Sequence, residues 1–373
     1  MAVERSNRAP VLDLSRPGGI EVEIEVAEAA EMLMSICALA DRADYDTFDL
    51  GDDWLKARLD TVPPDLLESV DSMLLGSHKV AAHLLGIVYE TPKPRTFSAF
   101  LERLGATDPF EVKLHLLGHY SSSHFEHTSA EVIEQAARGD AAAREELLAS
   151  LAEWRGSAKS DQVRRLLELG GEEAKARLLE LLPRWYEHVF APHAQEWRQA
   201  AERDAESKRE LARKRSPEQL VELATRGFQY TPGPAIRTIA FFPSWWMRPW
   251  VILWEYKGAK IFCYPIAPPP EDAEAGSPAE LARLYKALGD EKRLRLLKRL
   301  SDGPLTLGQA ASELGLAKST AHHHLAILRH AGFVTVRAED EKVYNLRLRP
   351  DLPEAGELLA AYLGGSRSSS TKP

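Results

Sequence analysis

Apolar side chains recur at helical spacing over most of the N-terminal two thirds of the chain. Residues 27–39 place Met32, Leu33, Ile36 and Leu39 three and four positions apart, as a buried helix face requires. Similar stretches continue to Gly227, separated by glycine, by proline and by Ser or Thr residues suited to begin a helix. Residues 20–26 instead alternate apolar and acidic positions, which predicts an edge strand.

A change of composition at residue 236 predicts a small sheet. Residues 236–266 are crowded with aromatic and β-branched side chains, which favour strands. Three strands fit, over 237–242, 250–255 and 260–264, and Lys257-Gly258 would join the last two as a hairpin. The pattern predicts a mostly α protein with small β elements, an α+β fold. Its large helical N-terminal domain would carry a small antiparallel sheet.

A short stretch near the C-terminus, residues 306–330, predicts two helices joined by a tight turn. Thr306 and Gln309 stand at the spacing of a capping box, and Gly315 supplies the positive φ that ends the first helix. The second helix begins at about Lys318. Its predicted inward positions are Ala321, Leu325 and Leu328. Two helices held by a short glycine-containing turn form a helix-turn-helix, whose second helix can enter a DNA major groove.

The flanking residues extend this motif to a winged helix. Residues 333–337 and 342–348 alternate apolar and polar positions around the acidic turn 339–341, which predicts a β-hairpin. Upstream, one helix begins at Pro278 and Asp290 caps the next. In that helix we expect Leu294, Leu297 and Leu300 to face inward and Lys292, Arg293, Arg295 and Arg299 to face outward.

Residues 278–349 resemble the DNA-binding domain of ArsR/SmtB-type bacterial repressors. The resemblance rests on LARLYKALGDEKRLRLLKRL, LGLAKSTAHHHLAILRHAGFV and the wing ending VYNLRL, in that order. The order of a long helical region, a strand segment and a winged helix is similar to the long ArsR-type regulators, which carry an N-terminal domain of uncharacterised function. The resemblance implies a two-fold dimer built by the first and last helices. The matching positions are Leu281, Leu284, Tyr285, Leu288, Leu358, Leu359 and Tyr362.

The predicted domain organisation follows from these segments. Residues 1–19 form a flexible leader, 20–266 an effector or regulatory domain, and 267–277 a proline-rich linker. Residues 278–364 form the winged helix-turn-helix domain, and 365–373 a disordered tail.

The candidate DNA contacts lie on the first two turns of the second helix and on the wing. In a helix-turn-helix those turns meet base edges, and basic and hydroxyl side chains can bind base edges or phosphates. The candidates are Lys318, Ser319, Thr320, His322 and His323 on the second helix, Arg337 and Lys342 on the wing, and Thr306 and Gln309 at the start of the first helix. By the resemblance, Ser319 and Thr320 match the usual Ser-Thr, whereas His322 is a departure. We expect His324 to pack against the domain.

The distribution of charge favours DNA contact at the C-terminal end alone. The whole chain carries 47 Lys and Arg against 56 Asp and Glu, a net charge of −9. Residues 280–349 carry 13 basic and 8 acidic side chains, so the remainder is strongly acidic. Only this segment has the sign that attracts a polyphosphate. Two distant cysteines, the lack of a signal peptide and the lack of a long apolar run predict a cytoplasmic, nucleoid-associated protein with no membrane partner.

Two sets of histidines bear on metal binding. His322, His323 and His324 are consecutive and fan around a helix, so they cannot converge on one ion. Glu111, His115 and His119 share one helix face, and His124, Glu126 and His127 follow, which makes this the candidate zinc site. A solvated face is the alternative, and we predict neither a bound metal nor a cofactor. The metal-sensing positions of the resembled family carry no cysteine or histidine here.

The aromatic segment offers a candidate effector pocket. Trp245, Trp246, Trp250 and Trp254 could line a site for an apolar or planar small molecule. Aromatic-rich strands also form core or a contact between domains, and both interpretations stay open. No phosphate-binding loop or nucleophile motif is present in the sequence, so we predict no enzyme.

Two functions from different classes remain. The first is a homodimeric, sequence-specific transcription regulator that binds operator DNA as a repressor and responds to an unknown ligand or partner. The alternative is an enzyme or metal-binding protein whose winged helix is a protein-interaction module.

Overall fold

The structure is a computed structural model. It describes residues 19–40, 42–74, 80–120, 128–155, 157–266, 278–338, 342–346 and 355–364. The predicted leader (apart from residue 19), the linker 267–277, the wing turn 339–341 and the tail 365–373 lie outside the described residues.

Helices make up most of the described N-terminal part. They are α1 (Glu28–Ala40), α2 (Asp52–Leu59), α3 (Pro64–Met73), α4 (Leu85–Glu90), α5 (Phe97–Ala106), α6 (Pro109–Leu116), α7 (Ala130–Arg138), α8 (Ala141–Arg155), α9 (Ser157–Glu168), α10 (Gly171–Trp185), α11 (Ala191–Ala212) and α12 (Pro217–Ala224). Short 3-10 helices span Arg42–Thr47 and Ala81–Leu84, and a π-helical turn, Tyr186–Phe190, connects α10 to α11. Side chains cap the N-termini of several of these helices. Thr96 accepts a hydrogen bond from the amide of Ala99, and Ser216 forms a capping box with Gln219.

The α+β fold class is confirmed, but the N-terminal sheet is mixed rather than antiparallel. Its strands are β1 (Glu21–Ile24), β3 (Thr238–Ser244), β4 (Ile252–Tyr256) and β5 (Ala259–Pro265), in the order β1-β3-β5-β4. The hairpin of β4 and β5 is antiparallel as predicted, with Lys257 and Gly258 at positive φ in its turn. β5, not β4, lies beside β3, and the β1-β3 and β3-β5 pairings are both parallel.

The winged helix has the predicted elements. Its helices are α13 (Pro278–Leu288), α14 (Glu291–Leu300), α15 (Leu307–Leu314), α16 (Lys318–His330) and α17 (Ala355–Gly364), and its strands are β6 (Leu305–Thr306), β7 (Val334–Ala338) and β8 (Lys342–Leu346). The hairpin of β7 and β8 is the wing. Asp290 begins α14 by accepting a hydrogen bond from the amide of Arg293, at 2.9 Å.

The predicted buried face of α14 was right at Leu300 but wrong at Leu294 and Arg293. Leu294 is 48% exposed, whereas Leu296 and Leu300 are buried. Arg293, expected in solvent, is buried and donates hydrogen bonds to the carbonyl oxygens of Ala287 and Lys286, at 2.7 and 2.6 Å. These bonds offset the cost of burying the guanidinium and occupy carbonyls at the C-terminal end of α13.

A strand from the helical region completes the wing sheet. β2 (Phe228–Tyr230) pairs in parallel with β7, which gives the order β2-β7-β8-β6. Gly227, just before β2, has a φ of 106°, and a Cβ there would lie 3.2 Å from the carbonyl oxygen of Val334. One apolar cluster spans both regions and includes Phe241, Phe262, Leu296 and Leu325. The boundary at residues 267–277 therefore does not separate two independent cores.

Candidate nucleic-acid interface

Local hydrogen bonds fix the first helix of the helix-turn-helix. The hydroxyl of Thr306 accepts from the amide of Gln309 at 3.2 Å, and the Gln309 side-chain oxygen accepts from the amide of Thr306 at 2.9 Å. Gly315 ends α15 in the left-handed conformation, with a φ of 62°. Ala317 begins α16 without a side-chain cap. Thr306 and Gln309, both candidate DNA contacts, thus also hold the motif together.

Helix α16, called the recognition helix from here on, has one buried and one outward face. Ala321, Leu325 and Leu328 are fully buried, as their helical spacing predicted. Lys318 and Thr320, on the first turn, are exposed. The side chain of Ser319 lies outside the described residues. The candidate contacts of the first turn therefore include an exposed ammonium group and an exposed hydroxyl, which suit phosphate and base-edge acceptors.

The next two candidates are covered by an aromatic side chain from the N-terminal region. The indole ring of Trp250 stacks on the imidazole of His322, with ring centroids 5.9 Å apart and planes inclined by 21°. It also lies against His323, at 6.5 Å and 39°. Both histidines are half-buried as a result.

His324 packs against the domain, as expected. It is 7% exposed, and its Nδ1 lies 3.7 Å from a carboxylate oxygen of Asp290. Burial lowers its pKa, although the Asp290 charge acts in the opposite direction. The three consecutive histidines thus differ in surroundings, and His324 does not share the outward face.

The C-terminal turn of the recognition helix makes polar contacts with the N-terminal region. The buried guanidinium of Arg329 donates to the carbonyl oxygen of Thr225. Nε2 of His330 lies 3.3 Å from Oδ2 of Asp49, and its ring nitrogens lie 3.4 to 3.5 Å from Nη1 of Arg226. These contacts anchor the end of the helix opposite to Lys318.

Burial and nearby charges set the protonation states of His330 and Asp49 in different ways. Burial lowers the pKa of His330 to about 4, although its hydrogen bond to Asp49 acts in the opposite direction. Partial burial would raise the pKa of Asp49, but the hydrogen bond from His330 and the charges of Arg248 and Arg226 lower it to about 2. Near neutral pH the pair is a neutral imidazole bonded to a carboxylate.

The wing contributes one candidate whose position is described. Arg337 lies at the exposed end of β7, near the turn. The side chain of Lys342 lies outside the described residues, although its backbone pairs with Ala338.

Comparison with known proteins places this region in a family. A family model described as a helix-turn-helix domain matches residues 288–337. The chain is 40% identical over 84 residues to the HTH-type transcriptional regulator CmtR of Mycobacterium tuberculosis, which covers 22% of this chain and 71% of that protein. The chain belongs to the ArsR-type helix-turn-helix transcriptional regulators.

Other relatives of this ArsR-type chain match the same region. The transcriptional activator HlyU of Vibrio cholerae is 39% identical over 66 residues, 18% of this chain and 61% of that protein. A cadmium resistance transcriptional regulatory protein, the CadC homolog of Staphylococcus aureus, is 32% identical over 75 residues, 20% of this chain and 62% of that protein. No solved structure matches the chain. These matches characterise about a fifth of the chain.

The candidate dimerisation residues of this ArsR-type regulator divide by exposure. Leu281 and Leu284 are buried within the protomer, and Leu288 and Leu359 are half-buried. Tyr285 and Tyr362 are 40% and 51% exposed, as is the neighbouring Leu363 at 70%. The side chain of Leu358 lies outside the described residues. Helix α17 packs against α13, so the exposed aromatic residues belong to two neighbouring helices.

The described residues of the candidate zinc site do not converge on one point. His115 is fully buried, its ring packs on Tyr256, and its Nδ1 lies 3.3 Å from the carbonyl oxygen of His83. Burial lowers the pKa of His115 to about 4. Glu111 points toward Lys257, at 3.7 Å. Among the described residues no group of three potential ligands is arranged to hold a metal ion. His124, Glu126 and His127 lie outside the described residues.

The four tryptophans of the candidate pocket lie in three separate places. Trp245 and Trp246 contact each other and Trp54 edge to face, with centroids 5.1 to 6.0 Å apart. Trp254 stacks on His83, at 4.9 Å. Trp250 packs against the recognition helix. The structure therefore does not bring the four rings around one cavity.

Sequence reasoning missed the residues that hold the recognition helix from outside its domain. These are Thr225, Arg226, Asp49 and Trp250. Trp250 had been assigned to a pocket, and no sequence pattern indicated its partner. No sequence signal pointed to these contacts, because a polar Arg329-His330 pair is ordinary on the surface of a helix.

No helix among the described residues is long and apolar enough to cross a membrane.

Proposed function

We propose that this chain is a sequence-specific DNA-binding regulator that acts as a homodimeric repressor. The observation that carries the proposal is the exposure of Lys318 and Thr320 on the first turn of the recognition helix. The capping box, the Gly315 turn and the wing hold that helix in the geometry that helix-turn-helix proteins use to reach base edges. The basic excess of residues 280–349 supplies attraction to phosphates.

The proposed second copy packs through α13 and α17. Tyr285, Tyr362 and Leu363 are large, exposed and apolar or aromatic, and they belong to adjoining helices. Burial of such side chains is what a stable homodimer requires. Sedimentation of a Tyr285→Glu/Tyr362→Glu variant tests this interface. We expect that variant to be monomeric and the unchanged chain to be dimeric.

The proposed role of residues 20–266 is to respond to a ligand or partner, with 278–364 as the DNA-binding unit. Support comes from the contacts of Asp49, Thr225 and Trp250 with the recognition helix, because a change in this region would reach that helix directly. A small-molecule effector fits this role, as does a protein partner. The proposed location is the cytoplasm, at the nucleoid. Thermal-shift screening of the full chain against metals and small molecules tests the response.

DNA binding is tested by titrating the chain into labelled DNA from its own promoter region. A Lys318→Ala/Thr320→Ala variant should bind at least 10-fold more weakly, since each lost base or phosphate contact costs about 1–3 kcal/mol. The slope of binding against salt concentration should also fall by about 1. A matched control is Lys56→Ala/Thr61→Ala, which removes an exposed lysine and threonine from the N-terminal region.

The control should bind like the unchanged chain. Equal weakening by both variants would contradict a specific role for the recognition helix. A chain that forms no saturable DNA complex, and that holds zinc through His115 and His119, would support the alternative metal protein instead. A promoter-reporter assay tests repression. Deleting a repressor should raise reporter expression, whereas deleting an activator would lower it.

A further inference from the structure

The recognition helix is held against the N-terminal region at two points. Trp250 covers His322 and His323, and Asp49 contacts His330. His322 and His330 are eight residues apart, which is about 12 Å along a helix. The residues that make and support these contacts, Thr47, Phe48, Asp49 and Trp250, are called the Trp250 surface below.

The Trp250 surface is held in place by contacts within the N-terminal region. The indole N–H of Trp250 donates to the hydroxyl of Thr47 at 2.9 Å, and its ring packs on Phe48 with centroids 6.5 Å apart. The amide of Asp49 donates to the carbonyl oxygen of Arg248 at 2.9 Å. The two chain segments that form the surface are therefore joined to each other, and the indole has a fixed orientation.

A buried carboxyl group in the helical core binds the backbone of the segment that leads to Trp250. One oxygen of Glu31, on α1, accepts hydrogen bonds from the amides of Trp245 and Trp246, at 2.7 and 2.9 Å. The hydroxyl of Ser244 accepts from the amide of Met247 at 3.3 Å. The loop that carries Trp250 is thus fixed at its start by the helical core.

The covered side chains, His322 and His323, are candidates to contact base edges in a major groove. The groove is about 12 Å wide and admits a helix of about 10–12 Å diameter with little space beside it. An indole stacked on His322 and touching His323 fills the space that base edges would occupy. Lys318 and Thr320 stay exposed, so the obstruction affects the second turn of the reading face and not the first.

We propose that the Trp250 surface is an autoinhibitory contact that competes with operator DNA for His322 and His323. The proposal rests on the DNA-binding function proposed above. In the closed arrangement the helix can approach DNA only through its first turn, and specific binding requires the Trp250 surface to separate from the helix. A ligand that binds the N-terminal region better in the separated arrangement would increase DNA affinity, and the reverse preference would decrease it.

The direction of the effect gives the proposal a sharp test, because a misfolded variant would bind promoter DNA no better than DNA of unrelated sequence. Full-length protein is titrated into labelled promoter DNA, and into a mixed-sequence duplex of equal length. We expect Trp250→Ala to bind promoter DNA about 3- to 10-fold more tightly than the unchanged chain, as expected for loss of one aromatic contact. Trp250→Phe keeps a ring at the position and should lie near the unchanged chain.

Two further variants keep the test decisive. Asp49→Asn keeps the shape of the side chain and weakens the His330 contact, together with the attraction between Asp49 and the charges of Arg226 and Arg248. It should therefore also tighten binding, by a smaller factor, even if Trp250→Ala folds poorly. Phe110→Ala removes a half-buried ring that contacts Arg138 rather than the recognition helix, and it should leave affinity unchanged.

The outcomes separate this proposal from the function on which it rests. If the unchanged chain binds promoter DNA and folded Trp250→Ala and Asp49→Asn bind no more tightly, the autoinhibitory contact is refuted while DNA binding stands. If neither the unchanged chain nor Trp250→Ala binds either duplex, the proposed function fails and the autoinhibitory contact fails with it.

Discussion

His330, on the last turn of the recognition helix, is hydrogen-bonded to Asp49, with 3.3 Å between Nε2 and Oδ2. The two residues are separated by most of the chain, and each keeps a single protonation state near neutral pH. The imidazole stays neutral because it is buried, and the carboxylate stays ionised because it receives the hydrogen bond.

The buried imidazole should make the chain less stable in mild acid. Its pKa in the folded chain, about 4, lies below its ordinary value near 6.5. The unfolded chain therefore takes up the proton first, so stability is complete above pH 6.5 and is lost as the pH falls toward 4. Between pH 7 and pH 5 this residue should cost about 2 kcal/mol. Asp49 contributes nothing in that window, since its stabilisation is lost only as the pH falls from about 3.8 through about 2.

The measurement is the free energy of unfolding in urea at pH 7 and pH 5. His330→Gln should show a smaller loss than the unchanged chain. Buried His115 acts in the same direction and buried Glu31 in the opposite one. Both are present in both proteins, so they cancel in the comparison. Equal losses would show that His330 is not buried as a neutral ring.

Two leucines on α14 should respond very differently to truncation. Leu296 is fully buried and Leu294 is 48% exposed. Leu296→Ala should cost about 2–5 kcal/mol of unfolding free energy, because it leaves a cavity, whereas Leu294→Ala should cost about 0.5 kcal/mol. The two variants are matched in chemistry and helix, and chemical denaturation of both decides the question. The opposite ranking would restore the face predicted from the sequence.

The start of the recognition helix can be strengthened. Ala317 has the extended backbone of an N-cap residue, with φ −63° and ψ 148°, but no side-chain acceptor. Ala317→Ser should add about 0.5–1 kcal/mol by accepting from an amide of the first turn. Thr306→Ala, which removes such an acceptor from α15, should cost about 1 kcal/mol. Thermal unfolding measures both, and a destabilised Ala317→Ser protein would contradict the assigned helix start.

Glu31 should make the chain less stable as the pH rises from about 4.5 to about 8. Burial raises its pKa to about 8, despite the amide hydrogen bonds that favour the anion. Because this value exceeds the ordinary 4.5, its contribution is complete below about pH 4.5 and is lost as the pH rises toward 8. Glu31→Gln keeps an oxygen for the two amides and cannot ionise, so its stability should vary less between pH 6 and 8.5. Parallel profiles for the two proteins would show that the group is ionised throughout.

Features that depend on neighbouring residues were predictable from the sequence. The Thr306 capping box, the Gly315 stop and the inward Ala321, Leu325 and Leu328 all follow from spacings within one or two helical turns, and the structure confirms them. The hairpin at Lys257-Gly258 is local in the same sense.

Features that depend on distant partners were not predictable. Leucines at 294, 296, 297 and 300 fit more than one helical phase, and only packing against the rest of the domain selects the phase that buries Leu296. Nothing within the three residues of β2 indicates β7 as their neighbour. The place of β5 beside β3 is also a matter of tertiary packing. The same limit hid the contact of Trp250 with His322.

The parallel pairing of β2 with β7 affects how the molecule can be divided. A fragment that starts at Pro278 would leave the outer edge of the wing sheet without its neighbour, with free amide and carbonyl groups of the kind that promote aggregation. A fragment that starts at Ser216 would keep β2 but would carry β3, β4 and β5 without the α1 helix that covers them. Neither fragment is an intact DNA-reading unit, because β2 belongs to the wing sheet while the strands that follow β2 pack on the N-terminal helices.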